Sequence, residues 1–122
     1  MIMPLPFLCR EYAVITYDDF VKVDMRVGII REVQDNPRAR KPAYILRIDF
    51  GSEIGEKWSS AQITHYAKES LIGQVVIGVV NFPPKQIAGF TSEVLVLGVP
   101  DAEGRVILLQ PEDEALIGGR VY

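Results

Sequence analysis

Apolar and polar residues alternate along two stretches of this chain in the two-residue rhythm of β-strands. From Met25 to Val33 the alternation puts Met25, Val27, Ile29 and Val33 on one face, with Arg26, Gly28, Ile30 and Glu32 on the other. Gly28 inside such a run predicts a bulge or sharp bend, as strands of small barrels require. From Ala43 to Phe50 the rhythm is cleaner: Tyr44, Leu46, Ile48 and Phe50 point inward, and Ile45, Arg47 and Asp49 outward. Asp35-Asn36-Pro37 ends the first strand, and a loop rich in Arg and Lys runs on to Pro42. Residues Gly51 to Glu56 form the connection to a third, more polar strand over Lys57–Ile63.

Other elements follow from caps and breakers. Asp18 or Asp19 caps a short helical turn reaching Val23. Thr64 caps a helical segment to Leu71, with Tyr66, Ala67 and Leu71 as its apolar stripe and Gly73 as its stop. A fourth strand covers Gln74–Val80 and a fifth Glu93–Leu97. A turn at Asp101–Gly104 leads into a sixth, Arg105–Leu109, and the piece from Pro111 to Tyr122 adds a last short strand. Five or more strands with one short helix between the third and fourth is the order of an OB-fold, so the expected class is all-β, a Greek-key barrel with N- and C-terminal extensions. The domain is placed at residues 18–122. Residues 1–17 form an appendage whose Ile2, Leu5, Phe7, Leu8, Val14 and Ile15 need an apolar surface to pack on, on the barrel or on a partner subunit.

Between the fourth and fifth strands lies Asn81-Phe82-Pro83-Pro84-Lys85-Gln86-Ile87-Ala88-Gly89-Phe90-Thr91-Ser92-Glu93. The Pro-Pro pair fixes two φ angles and removes two donors, which makes this excursion stiff, and Gly89 permits a tight turn. Strands four to six are apolar on both faces, although a small closed barrel buries only one. A second copy of the chain is the expected cover for the other face.

Composition narrows the chemistry. The net charge is −3, yet Arg38, Arg40, Lys41 and Arg47 fall in a stretch without Asp or Glu, so a modest basic patch is expected on an acidic protein. The single cysteine, Cys9, excludes an internal disulfide and fits a reducing, cytoplasmic compartment. The first residues lack the basic region of a signal peptide, and no run is long enough to span a membrane. His65 is the only histidine, which excludes a His-based metal cluster. Asp49-Phe50-Gly51 matches one kinase signature without the others, and is read as a strand end and turn. No catalytic constellation, metal site or cofactor motif emerges, so the expectation is a binding protein and not an enzyme.

Two separated motifs then carry a resemblance. Asp19-Phe20-Val21-Lys22-Val23-Asp24-Met25-Arg26-Val27-Gly28 resembles the opening of the tRNA-binding OB domain appended to some methionyl-tRNA synthetases and found in synthetase-associated factors. Asn81-Phe82-Pro83-Pro84-Lys85, with Gly89 and Ser92-Glu93, resembles that family's loop of Asn, Pro, Lys and Gly followed by Ser-Glu. The match covers roughly Asp19 to Tyr122. Ile48-Asp49-Phe50-Gly51, Ser59-Ser60-Ala61-Gln62-Ile63-Thr64 and Ser92-Glu93-Val94-Leu95-Val96-Leu97-Gly98 are more similar to the CsaA group of export-related chaperones. Synthetase-type domains tend to carry Ser-Gly near the third strand and Gly-Met after Ser-Glu, where this chain has Ser60-Ala61 and Val94-Leu95. The resemblance implies a homodimer that binds unfolded or export-bound polypeptides, with tRNA as the alternative ligand.

Each ligand has its candidate residues. For a polypeptide, Phe82, Ile87 and Phe90 line an apolar pocket, while Lys85, Arg38 and Arg40 supply the polar rim. For tRNA or single-stranded RNA, Arg26, Arg38, Arg40, Lys41, Lys57 and Lys85 meet phosphates, Asn81 and Ser92 lie near the backbone, and Trp58 stacks on a base. Tyr44 lies on the inward register and is assigned to the core.

Overall fold

A computed structural model describes residues 13–122. The expected packing of Ile2, Leu5, Phe7 and Leu8 lies outside the described residues, whereas Val14 and Ile15 do not pack on the barrel and stand 96% and 66% exposed. The first element is the helical turn α1, Tyr17–Val21. Its cap is Thr16 and not Asp18 or Asp19: Thr16 Oγ1 accepts from the Asp19 N–H at 3.2 Å, and the Asp19 carboxylate accepts from the Thr16 N–H at 3.0 Å.

Strands β1 (Met25–Asp35), β2 (Tyr44–Asp49) and β3 (Glu56–Ala61) form an antiparallel meander, with the helical turn α2 (Gly51–Ile54) joining the last two. The turn α3 (Lys68–Leu71) follows, and then β4 (Val75–Val79), which crosses back to pair with β1. With β7 (Leu95–Val96) the sheet order is β3-β2-β1-β4-β7. This is the Greek-key order of an OB-fold. The helix falls between the third and fourth strands as expected. It is shorter than the sequence suggested, however: residues 64–67 turn without helical bonding, and Ala67, not Thr64, occupies the cap position.

The core holds Ile30, Tyr44, Leu46, Ile48, Phe50, Ile63, Leu71, Val76 and Val94. β2 buries the four side chains its alternation predicts. β1 departs from simple alternation, since Val27 and Ile30, expected on opposite faces, are both buried. Ile30 is fully buried and Gly28 faces the core, where a Cβ would fall 2.6 Å from Phe50 Cε1. A bulge between Ile30 and Glu32 then shifts the register, so Val33 packs on the same core as Ile30. Gly28 is therefore not the bulge itself but the gap that admits the Phe50 ring.

The barrel closes between β3 and the segment preceding β7. The Glu93 N–H donates to Trp58 O at 2.9 Å, the Trp58 N–H donates to Glu93 Oε2 at 3.1 Å, and Ser59 Oγ donates to Val94 O at 2.8 Å. The C-terminal segment lies beside β1 through bonds from Val27 N to Gly119 O and from Val121 N to Met25 O, with one bridge between Arg26 and Arg120. The expected final strand is reduced to that bridge. A separate ribbon, β8 (Gly98–Pro100) with β9 (Val106–Leu108), turns around Asp101–Gly104.

Candidate binding groove

The stiff excursion after β4 is a β-hairpin arm and not a loop. Its strands are β5 (Lys85–Ile87) and β6 (Phe90–Ser92), paired with each other only. Ala88 and Gly89 connect them at φ +51° and +77°. Two consecutive positive φ values make the two-residue turn whose twist matches a hairpin. The arm is anchored at its far end, where the Ser60 N–H donates to Ser92 Oγ at 3.3 Å. The ring of Phe90 meets Trp58 edge-on, with centroids 6.1 Å apart.

Beyond the stitch at Glu93 and Val94, no backbone hydrogen bond joins β3 to β7 among the described residues. Between them opens a groove of about 1160 Å³. Its walls are Ala61, Gln62 and Ile63 on one side, and Leu95, Val96 and Val99 on the other. Val106 and Leu108 of β9 extend the apolar wall, and the hairpin tip at Ile87 and Ala88 stands at one end. Arg38, Arg40 and Lys41 form a basic lip. A smaller cleft of about 430 Å³ lies near the root of the arm, bounded by Phe82, Pro83, Pro84, Lys85 and Glu93. The two share Ser60, Ile87 and Leu95.

The lip is held by Asn36. Its N–H donates to Ala43 O at 3.2 Å, its Oδ1 accepts from the Arg38 N–H at 3.2 Å, and its C=O accepts from the Ala39 N–H. This fixes the loop across the mouth of the groove. Arg38 reaches the hairpin turn: a Cβ on Gly89 would fall 2.6 Å from its Nη1. Among the described residues, Arg38, Arg40, Lys41, Lys57 and Lys85 form no ion pair, whereas Arg47 is held by Glu32 and Glu56 and Arg31 lies near Asp49. The basic lip thus consists of cations with no ion-pair partner among the described residues.

Several residues expected at the site have structural duties. Arg26 donates to Asp24 at 2.7 Å and to Gly118 O at 3.0 Å, and the Asp24 hydrogen bond raises its pKa further. It locks the C-terminal segment to β1 and is not presented to a ligand. Asn81 Oδ1 accepts from the Asp24 N–H and its Nδ2 donates to Lys22 O, which ties the start of the excursion to the end of α1. Ser92 anchors the arm as described. Lys57 lies on β3 outside both recesses. Phe90 and Trp58 cover one another, while Phe82 stays 48% exposed at the smaller cleft. Tyr44 is core, and its hydroxyl donates to Tyr66 O at 2.8 Å.

Sequence reasoning missed the apolar walls. Leu95, Val96 and Leu108 appeared there only as strand residues with two apolar faces, and Val99 in no element. Their excess apolarity was the available signal, and it marks a groove wall as readily as a subunit contact.

Comparison with known proteins fits this architecture. The family model described as "Putative tRNA binding domain" matches residues 25–120. Among solved structures, the CsaA chaperone of Picrophilus torridus is 57% identical, with a TM-score of 0.85 over 89% of this chain and 100% of that one. The chaperone CsaA of Bacillus anthracis is 52% identical, with a TM-score of 0.82 over 90% of this chain and 100% of that one. The methionine–tRNA ligase of Nanoarchaeum equitans is 40% identical over 112 residues, 92% of this chain, but the chain spans only 14% of that enzyme's length. The chain belongs to the tRNA-binding domain family, as a member of the CsaA type with the OB-fold. No helix among the described residues is long and apolar enough to cross a membrane.

Proposed function

We propose that this chain is a non-catalytic, chaperone-like module that binds unfolded or export-bound polypeptides in the cytoplasm. The observation that carries this reading is the groove itself, with apolar walls along most of its length and unpaired cations only at one lip. Apolar side chains of an unfolded chain lose water against Leu95, Val96, Val99 and Leu108. Acidic residues on the same segment meet Arg38, Arg40 and Lys41. The lip and arm are already fixed by hydrogen bonds, which lowers the ordering cost of binding. The similarity to two proteins named CsaA chaperones supports the same ligand class.

The second reading, tRNA, is favoured by the family description and by the same three free cations. Against it, no aromatic side chain lines the groove: Trp58 lies outside it, edge-on to Phe90, and the exposed Phe82 stands at the smaller cleft. A paired titration separates the two, using labelled tRNA and a labelled reduced, unfolded polypeptide at low and high salt. Polypeptide binding that persists at high salt, with tRNA binding that collapses to non-specific strength, is the expected outcome. Salt-sensitive tRNA binding at micromolar or tighter affinity with no polypeptide binding overturns the proposal.

The chain is further proposed to act as a homodimer. Ile107 on β9 and Leu109 just after it expose apolar side chains, at 41% and 38% of their surface. Analytical ultracentrifugation across a dilution series is expected to give twice the chain mass of 13.6 kDa. A monomer at every concentration rejects the dimer.

A further inference from the structure

The proposed function leaves open how one groove accepts polypeptides of different sequence, and the strand edges that border it suggest an answer. β3 and β7 are the two end strands of the five-stranded sheet. Along β3, hydrogen bonding alternates. The bond from Phe50 N to Gly55 O sets the phase, so Ser59 and Ala61 face β2 while Trp58, Ser60 and Gln62 turn their backbone groups away from it. Trp58 is satisfied by Glu93, and the Ser60 N–H by Ser92 Oγ. Gln62 has no such partner: among the described residues neither its N–H nor its C=O is hydrogen-bonded. Across the groove, the bond from Leu97 N to Ile77 O sets the phase of β7, and Val96 turns its backbone groups away from β4.

Resting on the polypeptide-binding reading, we propose that the groove takes its ligand as an added β-strand. An extended segment pairs through its backbone with the one unpaired edge at Gln62, just past the end of β3, and lies along that edge in the groove. Recognition through main-chain hydrogen bonds is tolerant of sequence, because every residue except proline offers the same donor and acceptor. Alternate side chains then face the apolar walls, and an acidic residue near one end of the segment meets Arg38 and Arg40. The occupant is thus an extended polypeptide with apolar side chains at every second position and a carboxylate at one end. The arm and the Glu93 stitch stop the edge from extending past Ser60, which limits the strand to a short segment.

The test uses the full chain and a synthetic ten-residue probe of alternating threonine and valine ending in two glutamates. Two further probes carry backbone N-methyl groups on alternate residues, one set in each phase. Strand pairing requires one phase to lose at least tenfold in affinity while the other stays within about twofold of the parent, because only alternate N–H groups of a strand point at its neighbour. Hydrogen–deuterium exchange at the Gln62 amide is expected to slow at least tenfold on saturation with the parent probe. If the parent binds but both phases weaken equally and the Gln62 amide is unaffected, strand addition is wrong while polypeptide binding stands. If neither the parent probe nor the unfolded polypeptide binds, the functional reading itself fails. Slowing of the Gln62 amide with rising protein concentration and no probe makes a second copy of the chain the occupant, and overturns the proposal.

Discussion

Gly28 shows how much of this fold rests on the size of a single side chain. It faces Phe50 and Ile48, and a methyl group there would lie 2.6 Å from the ring and 2.7 Å from Ile48 Cγ2. Neither side chain has room to yield, since both are fully buried. Gly28→Ala is therefore expected to cost about 1–3 kcal/mol of stability, read as a lower urea midpoint with an unchanged slope. An unchanged midpoint means that Phe50 moves freely, contrary to the packing. The same scale explains which site residues the sequence disclosed. Arg38, Arg40 and Lys41 were legible because no acidic residue falls between Asp35 and Asp49 in the chain, and among the described residues none pairs with them. Arg26 was not, because one of its partners is the carbonyl of Gly118, 92 residues away.

At the scale of elements, the hairpin arm carries a local strain. Ala88 sits at φ +51°, a left-handed conformation that a side chain with a Cβ adopts at a cost of roughly 1–2 kcal/mol. Asn tolerates that region far better, and Asn-Gly is a preferred pair for this turn. Ala88→Asn is expected to raise stability by about 0.5–1 kcal/mol, measured by thermal or urea unfolding, and a loss of stability contradicts the turn geometry. This turn also shows why the arm reads as a loop in the sequence: Ala-Gly is a weak turn signal, and its strands, which follow a Pro-Pro pair, are only three residues each. β2 was legible throughout because nothing interrupts its alternation. β1 was not, since its bulge reverses the inward face partway along. Glu32, just past that bulge, bonds Gln34 and Arg47, and these bonds hold its carboxyl below the usual range. A carboxyl depressed in the folded state adds stability above its unfolded value of about 4.3, and the contribution fades as pH falls through the folded value. Between about pH 6 and pH 3, the native chain is expected to lose more stability than Glu32→Gln. Parallel pH profiles of the two urea midpoints contradict this assignment.

At the scale of the whole molecule, an OB barrel closes through Glu93 and Val94, and the groove beside that closure is walled by apolar residues and lipped by cations with no ion-pair partner among the described residues. The fold class was legible from the order of strands and one short helix. The groove was not, because it depends on where closure at Glu93 and Val94 stops, which leaves no local pattern. The central claim is that this groove receives an unfolded polypeptide. It is tested most directly by mapping amide chemical shifts of the isotopically labelled chain during titration with that polypeptide. The expected result is saturable shifts concentrated in residues 38–41, 61–63 and 95–99. Shifts confined to the C-terminal segment and the outer face of β1, or shifts that never saturate, would contradict it.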